Sequence, residues 1–183
     1  MRTLIFNGSP RKRGGSSDVV DAVCQSLSGE YRIVNVYRSQ IAPCVDCRYC
    51  WTHEGCCVKD EMQEVFSYLE ECDNVLIVSP LYFTELTGPL LSVLSRLQIY
   101  FSARVFQKKR LLSKTKKGAV VLVAGSESDS FEYAYRTAKV CLGEMRVTEV
   151  LPPLGFHRTD SVPVKEQAEF WEVISRVTAF FEE

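Results

Sequence analysis

Short apolar runs alternate along this chain with longer stretches in which apolar side chains recur at helical spacing. TLIFN (3–7) is rich in β-formers and stops at Gly8-Ser9-Pro10. Ser16-Ser17-Asp18 then reads as the cap of a helix with Val19, Val20, Val23 and Leu27 on one face. YRIVNVY (31–37) predicts a second strand, and Asp60 to Glu71 a second helix with Met62, Val65, Phe66 and Leu69 inward. NVLIVS (74–79) and AVVLVA (119–124) are continuous apolar runs, the mark of strands covered on both faces. Gly88-Pro89 opens a third helix carrying Leu90, Leu91, Leu94 and Leu97. A helix around 131–143, a strand around 146–151 and a last helix over 164–181 complete the pattern.

Five β-α units with short connections imply an α/β architecture, a parallel sheet with helices on both faces. The chain shows no repeat and no interdomain linker, so residues 1–183 are expected to form one domain. The six basic residues of Lys108–Lys117 read as solvated surface.

Charge adds an exclusion. Lys and Arg number 22 against 23 Asp and Glu, a net charge of −1, which gives no general drive toward nucleic acid or an anionic membrane. No run approaches a membrane span, and the basic residues at the N-terminus follow its apolar stretch, which is also too short for a signal peptide. The expected setting is soluble and cytoplasmic.

In such a sheet, ligands bind beyond the carboxyl ends of the strands. The first of these loops, Gly8-Ser9-Pro10-Arg11-Lys12-Arg13-Gly14-Gly15-Ser16-Ser17, leads straight into a helix. Glycines let N–H groups converge, hydroxyls donate, the helix start carries positive partial charge and the cations suit a phosphate dianion. It is neither a Walker loop, since Gly15 precedes Ser16 where Lys is required, nor a G-x-G-x-x-G fingerprint. The third loop, Ser79-Pro80-Leu81-Tyr82-Phe83-Thr84, offers the flat apolar cover that a flavin ring wants.

Gly-Ser-Pro-Arg with a Gly/Ser helix start, and Ser-Pro-Leu-Tyr-Phe followed by Gly88, resemble the FMN-binding motifs of the flavodoxin-like NAD(P)H-dependent FMN reductases. The resemblance runs over essentially the whole chain. It implies a doubly wound five-stranded sheet of order 2-1-3-4-5 and bound FMN. The flavin contacts it implies are Ser9, Arg11, Ser16, Ser17, Pro80, Leu81, Tyr82 and Phe83, with Gly125 and Ser126 from the loop after the fourth long strand. That loop carries Glu127 and Asp129 where relatives often have more glycine. Thr159-Asp160-Ser161-Val162-Pro163 resembles a subgroup of the family and carries no chemistry that the residues identify.

Five of the eight cysteines fall within fourteen residues, as Cys44, Cys47, Cys50, Cys56 and Cys57. Cys24, Cys72 and Cys141 stand alone and read as small buried residues. The spacing Cys44-x2-Cys47-x2-Cys50-x5-Cys56 resembles the iron–sulfur flavoproteins, which implies a [4Fe–4S] cluster on those four thiols. Free or redox-active thiols, and zinc on Cys44, Cys47 and another Cys or His53, stay open. Asp46 stands where many relatives have Gly. His53 and His157 read as isolated surface residues, and no side chain is named as a catalytic acid or base.

Three functions follow. The first is an oxidoreductase passing electrons from NAD(P)H through FMN to a quinone, flavin, nitro compound or iron centre. The second is an iron–sulfur electron-transfer module that uses a redox-protein partner and no nicotinamide, against which a net charge of −1 argues mildly. The third is a phosphate-ligand binder with no redox role. The resemblance also implies a homodimer or homotetramer, for which Leu97–Phe106 and Phe170, Trp171, Phe180 and Phe181 offer surfaces, though a core-facing helix accounts for much of them.

Overall fold

The computed structural model describes every residue except Ser128, which belongs to the polar loop expected to close over a flavin. Its sheet is built from β1 (Arg2–Asn7), β2 (Glu30–Asn35), β3 (Asn74–Pro80), β4 (Lys116–Val123), β5 (Val147–Val150) and β6 (Leu154–Phe156). The spatial order is β2-β1-β3-β4-β5, every ladder is parallel, and β6 also pairs with β4. Order reverses between β1 and β3, which places a crevice at their carboxyl ends.

Period-two alternation in the central strands divides the core. Leu4, Phe6, Val75, Ile77, Val120 and Leu122 face one side, under α2 (Met62–Glu71), α3 (Gly88–Leu94), α4 (Gln98–Val105) and α5 (Glu132–Glu144). Ile5, Leu76, Val78, Ala119, Val121 and Val123 face the other, under α1 (Gly15–Ser26) and α6 (Phe170–Glu182). Each such side chain, withdrawn fully from water, contributes roughly 1.5–3 kcal/mol before the entropy of ordering is counted.

The departures from the sequence pattern have local causes. The expected fifth strand is β5, and a short sixth strand that the pattern did not predict follows it after Pro152 and Pro153, which lack the N–H that a ladder needs; β5 pairs with the start of β4 and β6 with its end. The second strand ends at Asn35, where Arg38 and Ser39 N–H groups turn back onto the Asn35 carbonyl. The second helix starts at Met62, with Asp60 Oδ1 accepting the Met62 N–H at 3.1 Å. The third helix breaks at a single 3-10 turn, Ser95–Leu97, before continuing as α4. The last helix begins only at Phe170, since Val164–Glu166 is a separate 3-10 turn. Within Lys108–Lys117, Lys116 is not solvated: it is buried as the first residue of β4, and its Nζ donates to the Lys114 carbonyl at 2.9 Å.

Cys72 is buried and Cys24 and Cys141 half-buried, and burial pushes each of these thiols up to about 11, as fits small inert core residues. Phe170 and Phe181 belong to the core, whereas Trp171 is exposed. Among the described residues no helix is long and apolar enough to cross a membrane.

Candidate flavin cleft and cysteine loop

The carboxyl ends of β1, β3 and β4 open on one cleft of about 370 Å³. Ser9, Arg11, Ser16, Pro80, Leu81, Tyr82 and Gly125 line it, as the sequence leads one to expect. Three expected residues do not. Ser17 is buried behind the loop and its Oγ donates to the Arg11 carbonyl at 2.8 Å. Ser126 lies outside the cleft lining and is exposed. Phe83 projects wholly into solvent, at the tip of a two-residue hairpin closed by Tyr82 and Glu85. Phe83 and Thr84 there take φ values of 53° and 66°, a left-handed turn normally left to Asn and Gly.

The phosphate-type loop is shaped from within. Ser9 Oγ donates to the Arg11 carbonyl at 3.1 Å, and Asn7 Oδ1 accepts the Ser9 N–H at 3.0 Å. The expected side-chain cap on the following helix is absent: the N-cap is Gly14, and no side chain bonds to the first turn. Helix geometry therefore leaves the N–H groups of Gly15 and Ser16, both in the cleft lining, without intrahelical partners. Gly14 has φ 154°, a conformation reserved for glycine, and a Cβ on Gly15 would lie 2.6 Å from the Val164 side chain. Asp18, in the same first turn, pairs with Lys165 Nζ at 2.7 Å, which offsets a carboxylate that would otherwise oppose an anion.

A fourth wall was not assigned from the sequence. Thr159, Asp160, Pro163 and Val164 line the cleft, brought there by the short β6. The Thr159 hydroxyl and N–H both donate to the Ala124 carbonyl, at 2.9 and 3.1 Å, and this ties the wall to the end of β4. The only signal was the Thr-Asp-Ser-Val-Pro run itself, whose position depends on a strand too short to recognise. His157 is not a surface residue: it is half-buried, stacks on Phe131 at 4.3 Å, and its Nδ1 is buried without a partner among the described residues.

The loop after β2 gathers the cysteines. Cys44, Cys47, Cys50, Cys56 and Cys57 all line one small cavity of about 40 Å³, open on the side of the exposed Cys44, Cys47 and Cys57. Cys47 and Cys57 Sγ atoms are 3.3 Å apart. A bond from the Tyr49 N–H and the contact with Cys57 draw the Cys47 thiol below its ordinary value, while Cys57 is pushed up by Cys47. Among the described residues, no three His, Cys, Asp or Glu side chains converge as ligands of one metal ion. His53 lies outside this cavity lining; it is exposed and stacks on Tyr49 at 4.3 Å. Asp46 takes φ 49° and Arg48 φ 61°, so the position where relatives often have Gly is left-handed here, a conformation Asp tolerates better than most residues.

The loop is held from the 3-10 turn between α3 and α4 and from the residues just past α4. Ser95 Oγ accepts the Cys44 N–H at 2.9 Å, and Gln107 Nε2 donates to the carbonyls of Cys50 and His53, both at 2.9 Å. Arg96, in the 3-10 turn, is 1% exposed. It donates to the Ala42 carbonyl at 2.9 Å, Asp60 Oδ2 at 2.7 Å, the Val58 carbonyl at 3.1 Å and Cys56 Sγ at 3.4 Å.

A doubly wound parallel sheet with an anion-ready loop at its switch point is the frame of a mononucleotide-binding α/β protein. The chain belongs to the NADPH-dependent FMN reductase family, which it matches over residues 1–158. It is thus an oxidoreductase of the kind that uses FMN and a reduced nicotinamide. Among curated relatives, an iron–sulfur flavoprotein of Methanocaldococcus jannaschii is 31% identical over 140 residues, covering 75% of this chain and 68% of that protein. An iron–sulfur flavoprotein of Archaeoglobus fulgidus is 30% identical over 103 residues, 55% of this chain and 47% of the relative. In fold, the chain resembles an NAD(P)H:quinone oxidoreductase from Methanothermobacter marburgensis (TM-score 0.69, 15% identity, 100% of this chain and 98% of that one). It also resembles an FMN-dependent NADH-azoreductase from Bacillus anthracis in complex with FMN (TM-score 0.67, 16% identity, 98% and 99%).

Proposed function

We propose that FMN lies in the cleft with its phosphate at the start of α1 and its ring against Pro80, Leu81 and Tyr82, and that Cys44, Cys47, Cys50 and Cys56 hold a [4Fe–4S] cluster. The observation that carries the flavin assignment is the helix start at Gly14 and Gly15, uncapped by any side chain, which lines the cleft directly beside the Pro80–Tyr82 edge. When held by Ser9, Arg11 and Ser16 at one end and Pro80, Leu81 and Tyr82 at the other, FMN would supply redox chemistry between a reduced nicotinamide and a small acceptor. Arg11 and the free N–H groups of the first turn of α1 neutralise the phosphate. Pro80 and Leu81, with the Leu81 N–H bonded to the Val123 carbonyl at 2.9 Å, present a rigid apolar rim that keeps water from one side of the ring. The acceptor class we favour is a quinone, flavin, nitro compound or iron centre.

The cluster assignment rests on the donor set. Four thiols at the spacing that resembles the iron–sulfur flavoproteins line one cavity, and a cube takes one cysteine per iron. The cavity is narrow, and the arm 44–48 that flanks it is exposed. Assembly as a homodimer or homotetramer is part of the same reading, with Phe83 and Trp171 as exposed aromatic contacts.

An anaerobic absorption spectrum with iron and sulfide analysis tests both assignments. Flavin bands with about four irons per chain support the whole reading. Flavin without iron after anaerobic reconstitution leaves an FMN reductase with free thiols, and a protein that cannot take up FMN overturns the cleft assignment. Bleaching of the flavin by NADPH or NADH separates a reductase from a module fed only by a redox protein.

A further inference from the structure

We propose that Arg96 is the positioning residue of the cysteine loop's cluster and that its fixed charge and its N–H bond to Cys56 set the cluster's reduction potential. This rests on the reading of Cys44–Cys56 as a cluster site.

The geometry separates Arg96 from the loop's own cations Arg48 and Lys59. A guanidinium carries five N–H donors in a plane. Here one terminal nitrogen serves the Ala42 carbonyl and Asp60, and the other serves Val58 and Cys56. One side chain thereby joins the strand-side stem of the loop, two residues before Cys44, to its helix-side stem at Cys56–Asp60. Its Nε is buried with no partner among the described residues, a polar atom held dry by the packing around it. Arg48 by contrast is exposed and lies over Trp51, and Lys59 is exposed and donates to the Cys56 carbonyl, not its sulfur. Charges in water are screened within about 10 Å at ordinary salt, so a buried cation at a ligand sulfur dominates.

Reduction adds one negative charge to a cluster and its thiolates. A hydrogen bond to a ligand sulfur and a nearby buried cation favour the reduced form, and so raise the potential. Asp60 opposes this: its carboxylate touches the same guanidinium at 2.7 Å and takes back part of the field. Two substitutions at one ion pair are therefore expected to move the potential in opposite directions, a pattern that loss of loop order alone would not produce.

The test is an anaerobic redox titration followed by electron paramagnetic resonance on the full chain after reconstitution, with iron and sulfide content measured for each variant. Arg96→Lys is expected to shift the cluster midpoint to more negative values, and Asp60→Asn to more positive ones. The flavin midpoint, set at other loops, should stay in place. Clusters retained in both variants at the wild-type midpoint overturn the proposal. So does loss of iron from Arg96→Lys together with a wild-type midpoint in Asp60→Asn, which would make Arg96 structural only. If the wild-type chain itself takes up no iron and sulfide, the cluster reading has failed and this proposal falls with it.

Discussion

The two sites are built on opposite plans. The flavin cleft is a product of the sheet: its floor and walls are backbone groups at the ends of β1, β3, β4 and β6, and its special residues are glycines. The cysteine loop has almost no regular structure of its own, a single 3-10 turn at Tyr49–Trp51, and is secured by side chains reaching from the 3-10 turn between α3 and α4 and from just beyond α4. A cleft made of backbone tolerates the loss of single side chains, whereas a loop pinned by one buried arginine does not.

The largest expected effect breaks the loop alone. Arg96→Met leaves the part-buried Asp60 carboxylate without its cation and takes a donor from the Ala42 and Val58 carbonyls, and should lower unfolding stability by about 3–5 kcal/mol in urea titration. Arg11→Met, at the exposed cation of the cleft, should stay within about 0.5 kcal/mol while weakening FMN binding. Equal losses from the two would end the contrast. Next comes Gly15→Ala, whose methyl meets Val164: a cost of about 1–3 kcal/mol and weaker FMN uptake are expected, with partial recovery when Val164→Ala is added.

A smaller effect sharpens the contrast by pH. Burial alone would raise the Asp60 carboxyl, but bonds from Arg96, the Ala42 N–H and the Met62 N–H outweigh it and hold the group below its ordinary value of 3.8. Because the folded value is the lower one, the stabilisation is complete above 3.8 and lost as pH falls through the folded value. Urea midpoints of the wild type should therefore fall more steeply below about pH 4 than those of Asp60→Asn. Parallel curves would remove Asp60 from the loop's anchoring. The smallest change is a gain: Thr84→Gly relieves a β-branched residue at φ 66° and should add about 1 kcal/mol in the same assay, with FMN affinity unaltered.

The cleft was far more legible in the sequence than the loop's anchorage. Glycines and Pro-Leu-Tyr announce a backbone site because their conformations are intrinsic, and the apolar runs of β1, β3 and β4 fix where it opens. Arg96 announces nothing, since one arginine in a helical Leu-rich stretch reads as solvent-facing. Its burial follows from a 3-10 break that no local residue marks. Phe83 misled for a similar reason: its neighbours fit a flavin platform, but the hairpin bonds between Tyr82 and Glu85 turn it outward. The wall at Thr159–Val164 stayed unread because a three-residue strand places it.

The added strand β6 has one more consequence. A parallel sheet offers its outermost strand to any passing chain as a template for further pairing, and β5 and β6 form that border here. Pro152 and Pro153, exposed at the break, present no N–H and interrupt the row of free donors at its midpoint. The border is thus too short on either side of the gap to recruit a stranger's strand, so the residues that steer the chain into the cleft wall also blunt this edge of the sheet against strand-by-strand pairing.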